Sequence, residues 1–336
     1  VHYLIHAYDN QELAGRALGP ARAYDKIAPN VPHALHMPTH IFTRLGFWSD
    51  SIDWNIRSAN AALSYPVNGA ISHHYLHALD YLIYAYLQGA EDDKAKEVLN
   101  QMIERDDYQK TFVTGYALAA LPARYTLERK QWRDAAELEI PERNSFPWEE
   151  FPEVEAIIHY ARGLGAVRSG EVVKARGALD TLDGIHENVV KTGQQYWGVL
   201  VDAQRKTVAA WLEYSKGRKS AAIQLMEEAA RLEESVDKNP VTPGSVLPAR
   251  ELLGEMLLLS GNPGKALRAY EISLDAAPKR FNSLYGAGQA SEGLGKKEMA
   301  NSYYEELLQI SIRSGSERPE VRHARIYVAN QDGIEN

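Results

Sequence analysis

The chain has 336 residues, 45% hydrophobic and 24% charged, with 37 Lys and Arg against 45 Asp and Glu for a net charge of −8. That composition is ordinary for a folded soluble protein, and the negative balance argues against nucleic acid as a partner, which needs clustered cations. No apolar run reaches the ~18 residues of a membrane span, and the absence of cysteine excludes disulfides, thiolate metal sites and a cysteine nucleophile.

In chain order, His2 to Tyr8 reads as a first helix, followed by a second helix around Ala17 and a break at Pro29. Ala17 and Ser51 are 34 residues apart, so a second unit shares this register, with Gly46 and Trp48 at its turn. Further turns are expected at positions 89, 130, 170 and 217, marked by Ala95, by Trp132 with Ala135, by Gly163 with Ala175, and by Ala222. The clearest repeat spans 247–312, where Gly254, Gly261, Ala266 and Tyr270 recur 34 residues later as Gly288, Gly295, Ala300 and Tyr304. Small residues at such points let antiparallel helices approach closely, and the second glycine suits a left-handed turn. Pro141 to Pro152 and Asp237 to Pro248 read as Pro-rich connections, the first packing onto the body through Phe146, Trp148 and Phe151.

A helix–turn–helix unit with a 34-residue period resembles the tetratricopeptide repeat. The expected fold is therefore all-α, a right-handed α-solenoid of about eight helix pairs. Residues 1–140 hold the His-rich repeats, and 141–336 continue the same solenoid. Val1 falls inside a first helix, so further repeats upstream in a longer parent chain are expected.

Histidine usage is lopsided. Eight of the eleven fall within the first 77 residues, at helical spacing: His2 and His6; His33, His36 and His40; His73, His74 and His77. Two sets run on as H-x3-H-x2-D, ending at Asp9 and Asp80. The resemblance implies that the first helix of each pair lines a concave groove, with groove positions about 13, 10 and 6 residues before the turn residue. Counted from Gly46, these are His33, His36 and His40. The third unit is ambiguous by one residue, giving His77, Asp80 and Tyr84 or else Leu76, Leu79 and Ile83; a wet groove favours the polar set.

Neighbouring first helices, ~8–10 Å apart, would then converge imidazoles and carboxylates on one place. His2, His6, His33, His36, His40, His77 and Asp80 are the candidate metal ligands, with Asp9, His73, His74 and Tyr84 as supporting or groove residues. Nitrogen and oxygen donors without sulfur suit Zn, Cu, Fe, Mn or Ni. His159, His186 and His323 are isolated and read as structural or surface residues. The stretches from Val1 to Asp9 and from Pro32 to Phe42 also resemble motifs of longer bacterial tetratricopeptide proteins, which leaves cytoplasm or periplasm open as the compartment. The functional expectation is a scaffold that binds a protein, a peptide or a small ligand in its groove and carries a metal site near one end. The alternative is a metal-dependent hydrolase or oxidoreductase built on the same cluster. Glu251 and Glu255 read as a groove-facing carboxylate pair, either suited to a basic peptide or simply solvated.

Overall fold

The ring of Tyr270 occupies the space that a Cβ on Gly254 or Gly286 would need, and Tyr304 does the same to Gly288. This contact is what the 34-residue repeat encodes: a tyrosine on the second helix of a pair presses on a glycine of the first. It yields a prediction with opposite signs at two glycines. Alanine gains up to ~1 kcal/mol of helix propensity over glycine. At Gly254 the new Cβ would sit 2.8 Å from Tyr270 Cζ, and overpacking of this kind costs ~1–3 kcal/mol. Gly184 is helical and exposed, with nothing within 4 Å of an added Cβ. In urea unfolding, Gly254→Ala should lower stability and Gly184→Ala should raise it; a stabilising Gly254→Ala would refute the packing argument.

The computed structural model describes residues 2–24, 27–141 and 146–332. Seventeen α-helices lie among them, with no strand beyond two isolated bridges. The first sixteen form eight consecutive pairs: α1 (His2–Tyr8) with α2 (Ala14–Arg22), α3 (Pro32–Arg44) with α4 (Trp48–Ser64), α5 (His73–Gln88) with α6 (Asp92–Ile103), α7 (Phe112–Glu128) with α8 (Trp132–Ala136), α9 (Pro152–Ser169) with α10 (Val172–Lys191), α11 (Gln195–Ser215) with α12 (Lys219–Glu234), α13 (Ala249–Leu259) with α14 (Pro263–Ala276), and α15 (Phe281–Gly293) with α16 (Lys297–Ile310). A last helix, α17 (Pro319–Asp332), packs on α16. The fold is thus the expected all-α solenoid. Its core is built between successive pairs from residues such as Ala119, Leu164, Leu212 and Met256.

The turns fix the register. Gly46, Gly170, Gly217, Gly261 and Gly295 all have positive φ, as the spacing predicts. In the third unit, however, the left-handed residue is Ala90 at φ 56°, not Gly89, whose φ is −81°. Counting back 13, 10 and 6 residues from Ala90 gives His77, Asp80 and Tyr84. The polar alternative therefore lies on the inner face, while Leu76, Leu79 and Ile83 are in the hydrophobic core.

The solenoid also closes on itself, which the sequence did not suggest. Helix α15 returns to α5. Trp48 Nε1 donates to the Lys279 carbonyl at 3.0 Å, and Gln88 Oε1 accepts from the Phe281 backbone N–H at 2.9 Å. The segment 236–248 is more than a connection, because it crosses the inner face. Arg124 holds it there by donating to Ser245 O, Thr242 Oγ1 and Gly244 O at 2.7–2.9 Å. Glu251 and Glu255 are likewise not free to take a basic peptide: Arg280 neutralises the first and Arg168 the second. Phe146 is buried as expected, against the face of Gly115; residues 142–145 of that connection lie outside the described ones.

Candidate metal centre

Helix α3 begins with Pro32 at its first turn, where a missing N–H costs nothing. Its 3.6-residue period then projects His33, His36 and His40 from the inner face. Helix α5 starts at an N-cap, Ser72, whose hydroxyl accepts from the His74 backbone N–H at 3.3 Å. It presents His74, His77 and Tyr81 to the rings of α3. Helix α1 brings His2 and His6 from the other side.

Six of the eight imidazoles resolve into two trios. Ring nitrogens of His36, His40 and His77 lie within 4.8 Å of one another, as do those of His2, His6 and His33. The inner trio is buried, with His36 and His40 each 1% exposed; in the outer trio His6 is exposed and the other two are half-buried. His74 stacks beside His33 with ring centroids 5.1 Å apart, and His73 lies against His74. Asp80, expected among the ligands, accepts from Arg124 Nε through Oδ1 at 2.8 Å, both groups fully buried. The Tyr84 hydroxyl accepts from Arg280 Nη1 at 2.9 Å.

Hydrogen bonding fixes the tautomers of two of the inner trio, His36 and His40. Asn55 Nδ2 donates to Ser51 O at 2.8 Å, so Asn55 Oδ1 is the atom facing His36 Nδ1, also at 2.8 Å, and His36 Nδ1–H donates to it. His40 Nδ1–H donates to Asp9 Oδ2 at 2.8 Å. With both Nδ1 atoms carrying the proton, both Nε2 atoms of the neutral rings bear lone pairs. Those two atoms face each other at 3.1 Å. Two lone pairs that close repel unless a cation or a proton sits between them. The Nδ1 atoms of His77 and His33 are buried with no hydrogen-bond partner among the described residues.

Burial is the first cause that lowers the pKa of these imidazoles, reinforced by neighbouring rings. His36 and His77 fall well below the ordinary value, His40 also falls, and His33 drops to about 3 and His74 to about 4. Burial therefore favours the neutral form of these five rings, the state a metal ligand needs. Burial alone would raise Asp9, but Lys238, His40 and Arg44 together hold its carboxyl far below the usual range. Arg44 Nε reaches Asp9 Oδ1 at 2.8 Å and Lys238 Nζ reaches Oδ2 at 3.0 Å. Burial brings Lys238 down to about 8 despite Asp9. The Tyr81 hydroxyl, kept protonated by burial, donates to Thr242 O at 2.8 Å and lies 3.2 Å from His40 Nδ1.

Asn55, Arg44, Tyr81 and Lys238 escaped sequence reading. A lone asparagine on the buried side of α4, among Ile52 and Ala59, was the one local signal available. Lys238 is 229 residues from Asp9 and carried none. Beside Asp9, the part of the groove left open by segment 236–248 is a cavity of about 500 Å³, with Arg44, Tyr116, Tyr160, Trp197, Glu233 and Lys238 in its wall.

No family model and no curated protein sequence matches the chain. Solved structures similar to it include a tetratricopeptide repeat protein from Parabacteroides merdae (13% identity, TM-score 0.40, 89% of this chain and 98% of that one). Cut9–Hcn1 of the APC/C matches at 13% identity and TM-score 0.33 over 95% of this chain and 59% of that one. The P58(IPK) TPR domain matches at 14% and 0.29 over 95% of each. The paired helices, the left-handed turn residues and the tyrosine-on-glycine contacts make the fold what the repeat spacing implied. The chain has a tetratricopeptide-like fold of repeated helix pairs. None of its described helices is long and apolar enough to cross a membrane.

Proposed function

We propose that this tetratricopeptide-like chain binds a transition-metal ion through His36, His40 and His77, inside a scaffold whose remaining groove accepts a small ligand or a short segment of a partner protein. The observation that carries the metal reading is the pair of facing Nε2 lone pairs at 3.1 Å. A tetrahedral Zn²⁺ with nitrogens ~2.05 Å away puts its ligands about 3.3 Å apart, so the inner trio is close to a ligating arrangement already. Each Nδ1–H of His36 and His40 has the oxygen partner that metal-bound imidazoles usually have. An all-imidazole set favours Zn²⁺ or Cu²⁺ over Mn²⁺, which prefers oxygen. The surroundings add no net negative charge, because Arg44 and Lys238 offset Asp9 and Arg124 offsets Asp80. A divalent ion here would therefore keep an anionic fourth ligand such as hydroxide.

The groove reading is narrower than the fold class suggests. Segment 236–248 and the arginines it packs on occupy the inner face, so an extended peptide has no continuous path; the cavity beside Asp9 suits a compact ligand. Elemental analysis of untagged protein before and after chelation tests the metal reading. His36→Ala with His40→Ala should abolish retention while the circular-dichroism helix signal persists. Asn55→Leu removes the acceptor that fixes the His36 tautomer, and metal affinity should fall ~10–100-fold, the usual loss when such a partner is removed. Wild-type protein that takes up neither Zn²⁺ nor Cu²⁺ would overturn the reading.

A further inference from the structure

The two histidine trios differ in a way that a single shared ion does not explain. The inner one is the more buried, with His36 and His40 each 1% exposed and His77 8%. The outer one, His2, His6 and His33, is open, since His6 is exposed and the others are half-buried. Its ring nitrogens meet the same 4.8 Å limit as the inner set, so it is a complete three-nitrogen group in its own right. The trios are contiguous. Ring centroids run from His2 to His6 at 4.8 Å, from His6 to His40 at 6.0 Å, from His40 to His36 at 4.9 Å and from His36 to His77 at 4.2 Å. Every step is short enough for an ion to exchange one imidazole for the next without passing through bulk water. Among the described residues the buried Nδ1 of His33 has no hydrogen-bond partner, which is the condition of a nitrogen free to bind.

We propose that His2, His6 and His33 form a second, outer cation site that captures a divalent transition metal from solvent and passes it to the inner site. This rests on the inner-site reading above and adds two things to it: a stoichiometry of two and an order of filling. The ligand class is the same, an imidazole-preferring ion such as Zn²⁺ or Cu²⁺. The transfer changes no oxidation state. One nitrogen–metal bond breaks as another forms, and the donors on both sides are imidazole nitrogens.

Chelator-stripped full chain titrated with Zn²⁺ alone, with bound metal measured after equilibrium dialysis, should hold two ions. His36→Ala should retain one, and His33→Ala should retain one. His6→Ala alters an exposed side chain and leaves the core intact, so it keeps the test valid if His33→Ala misfolds. The inner site of His6→Ala or His33→Ala should still fill at equilibrium, but several-fold more slowly than wild type when Zn²⁺ is delivered from a chromophoric chelator. Three results would overturn the proposal while leaving the inner site standing: a wild type that binds one ion and loses it in His36→Ala, outer-site variants that still bind two, or outer-site variants that load at the wild-type rate. A chain that binds no ion removes both readings together.

Discussion

Arg280→Met should be the most damaging single substitution in this chain. Arg280 is fully buried, and its guanidinium joins three units: Nε and Nη2 donate to the Glu251 carboxylate at 3.0 Å each, Nη2 also to Glu128 Oε1 at 2.8 Å, and Nη1 to the Tyr84 hydroxyl at 2.9 Å. Glu128 is as deeply buried, and burial pushes its pKa up against the pull of Arg280. Methionine keeps much of the volume but leaves two carboxylates in a low-dielectric interior with no cation. Breaking a buried pair from one side costs ~3–5 kcal/mol, and the cost comes from the charge left behind. The triple variant Arg280→Met, Glu128→Gln, Glu251→Gln should therefore recover much of the stability lost, because it removes the stranded charges. Since these contacts close α15 onto α5 and α7, the single variant should also open the ends of the solenoid, seen as faster amide exchange in Phe281–Gly293 and as a larger radius in small-angle scattering. A single variant as stable as wild type would show that the closure rests on apolar contacts alone.

That closure marks the boundary of what the sequence carries. Local geometry was legible. The 34-residue recurrence of Gly254 and Tyr270 as Gly288 and Tyr304 reports a side-chain contact within one helix pair, and positive φ at Gly46 sets the histidine register of α3 directly. The third unit was ambiguous because alanine, not glycine, takes the left-handed turn at position 90. The two H-x3-H-x2-D stretches look alike, yet their carboxylates have different fates. Asp9 meets His40, the residue six before the turn of the next unit, whereas Asp80 meets the residue at the same repeat position one unit further on from its own, which is Arg124. A carboxylate in such a repeat is assigned by its neighbour, so the pattern around it cannot say whether it supports a metal ligand or an arginine. Contacts such as those of Lys238 with Asp9 and Arg280 with Glu128 span well over a hundred residues. They depend on how far the superhelix turns per repeat, a sum of small rotations that no single motif records.

The metal-free chain should lose stability steeply as pH falls below about 6.5. His36 and His77 are buried and have folded pKa values well below the unfolded value of 6.5, with burial the first cause and neighbouring imidazoles the second. The unfolded chain therefore binds protons that the folded chain refuses. Stability then rises with pH, and the contribution of each group is intact above 6.5 and is lost progressively as pH falls toward its folded value. Linkage for one such group gives on the order of 1 kcal/mol by pH 5.5, so the two together cost roughly 2–3 kcal/mol there. His33, brought down to about 3, and His74, to about 4, act in the same direction with weaker effect because water reaches them. A loss of this size is a large share of a typical domain's stability, so the N-terminal units should open first. In thermal melts of chelator-treated protein the midpoint should drop between pH 7.5 and 5.5, and amide exchange in His73–Gln88 should accelerate before that in Ala249–Leu259. His36→Gln with His77→Gln, which removes both titrating groups, should flatten this dependence even if it lowers stability at pH 7.5. A midpoint independent of pH in the chelator-treated wild type, or an equally steep dependence in the double variant, would mean that the inner imidazoles are not held neutral by burial. It would also remove the basis for two unprotonated nitrogens facing one another at 3.1 Å.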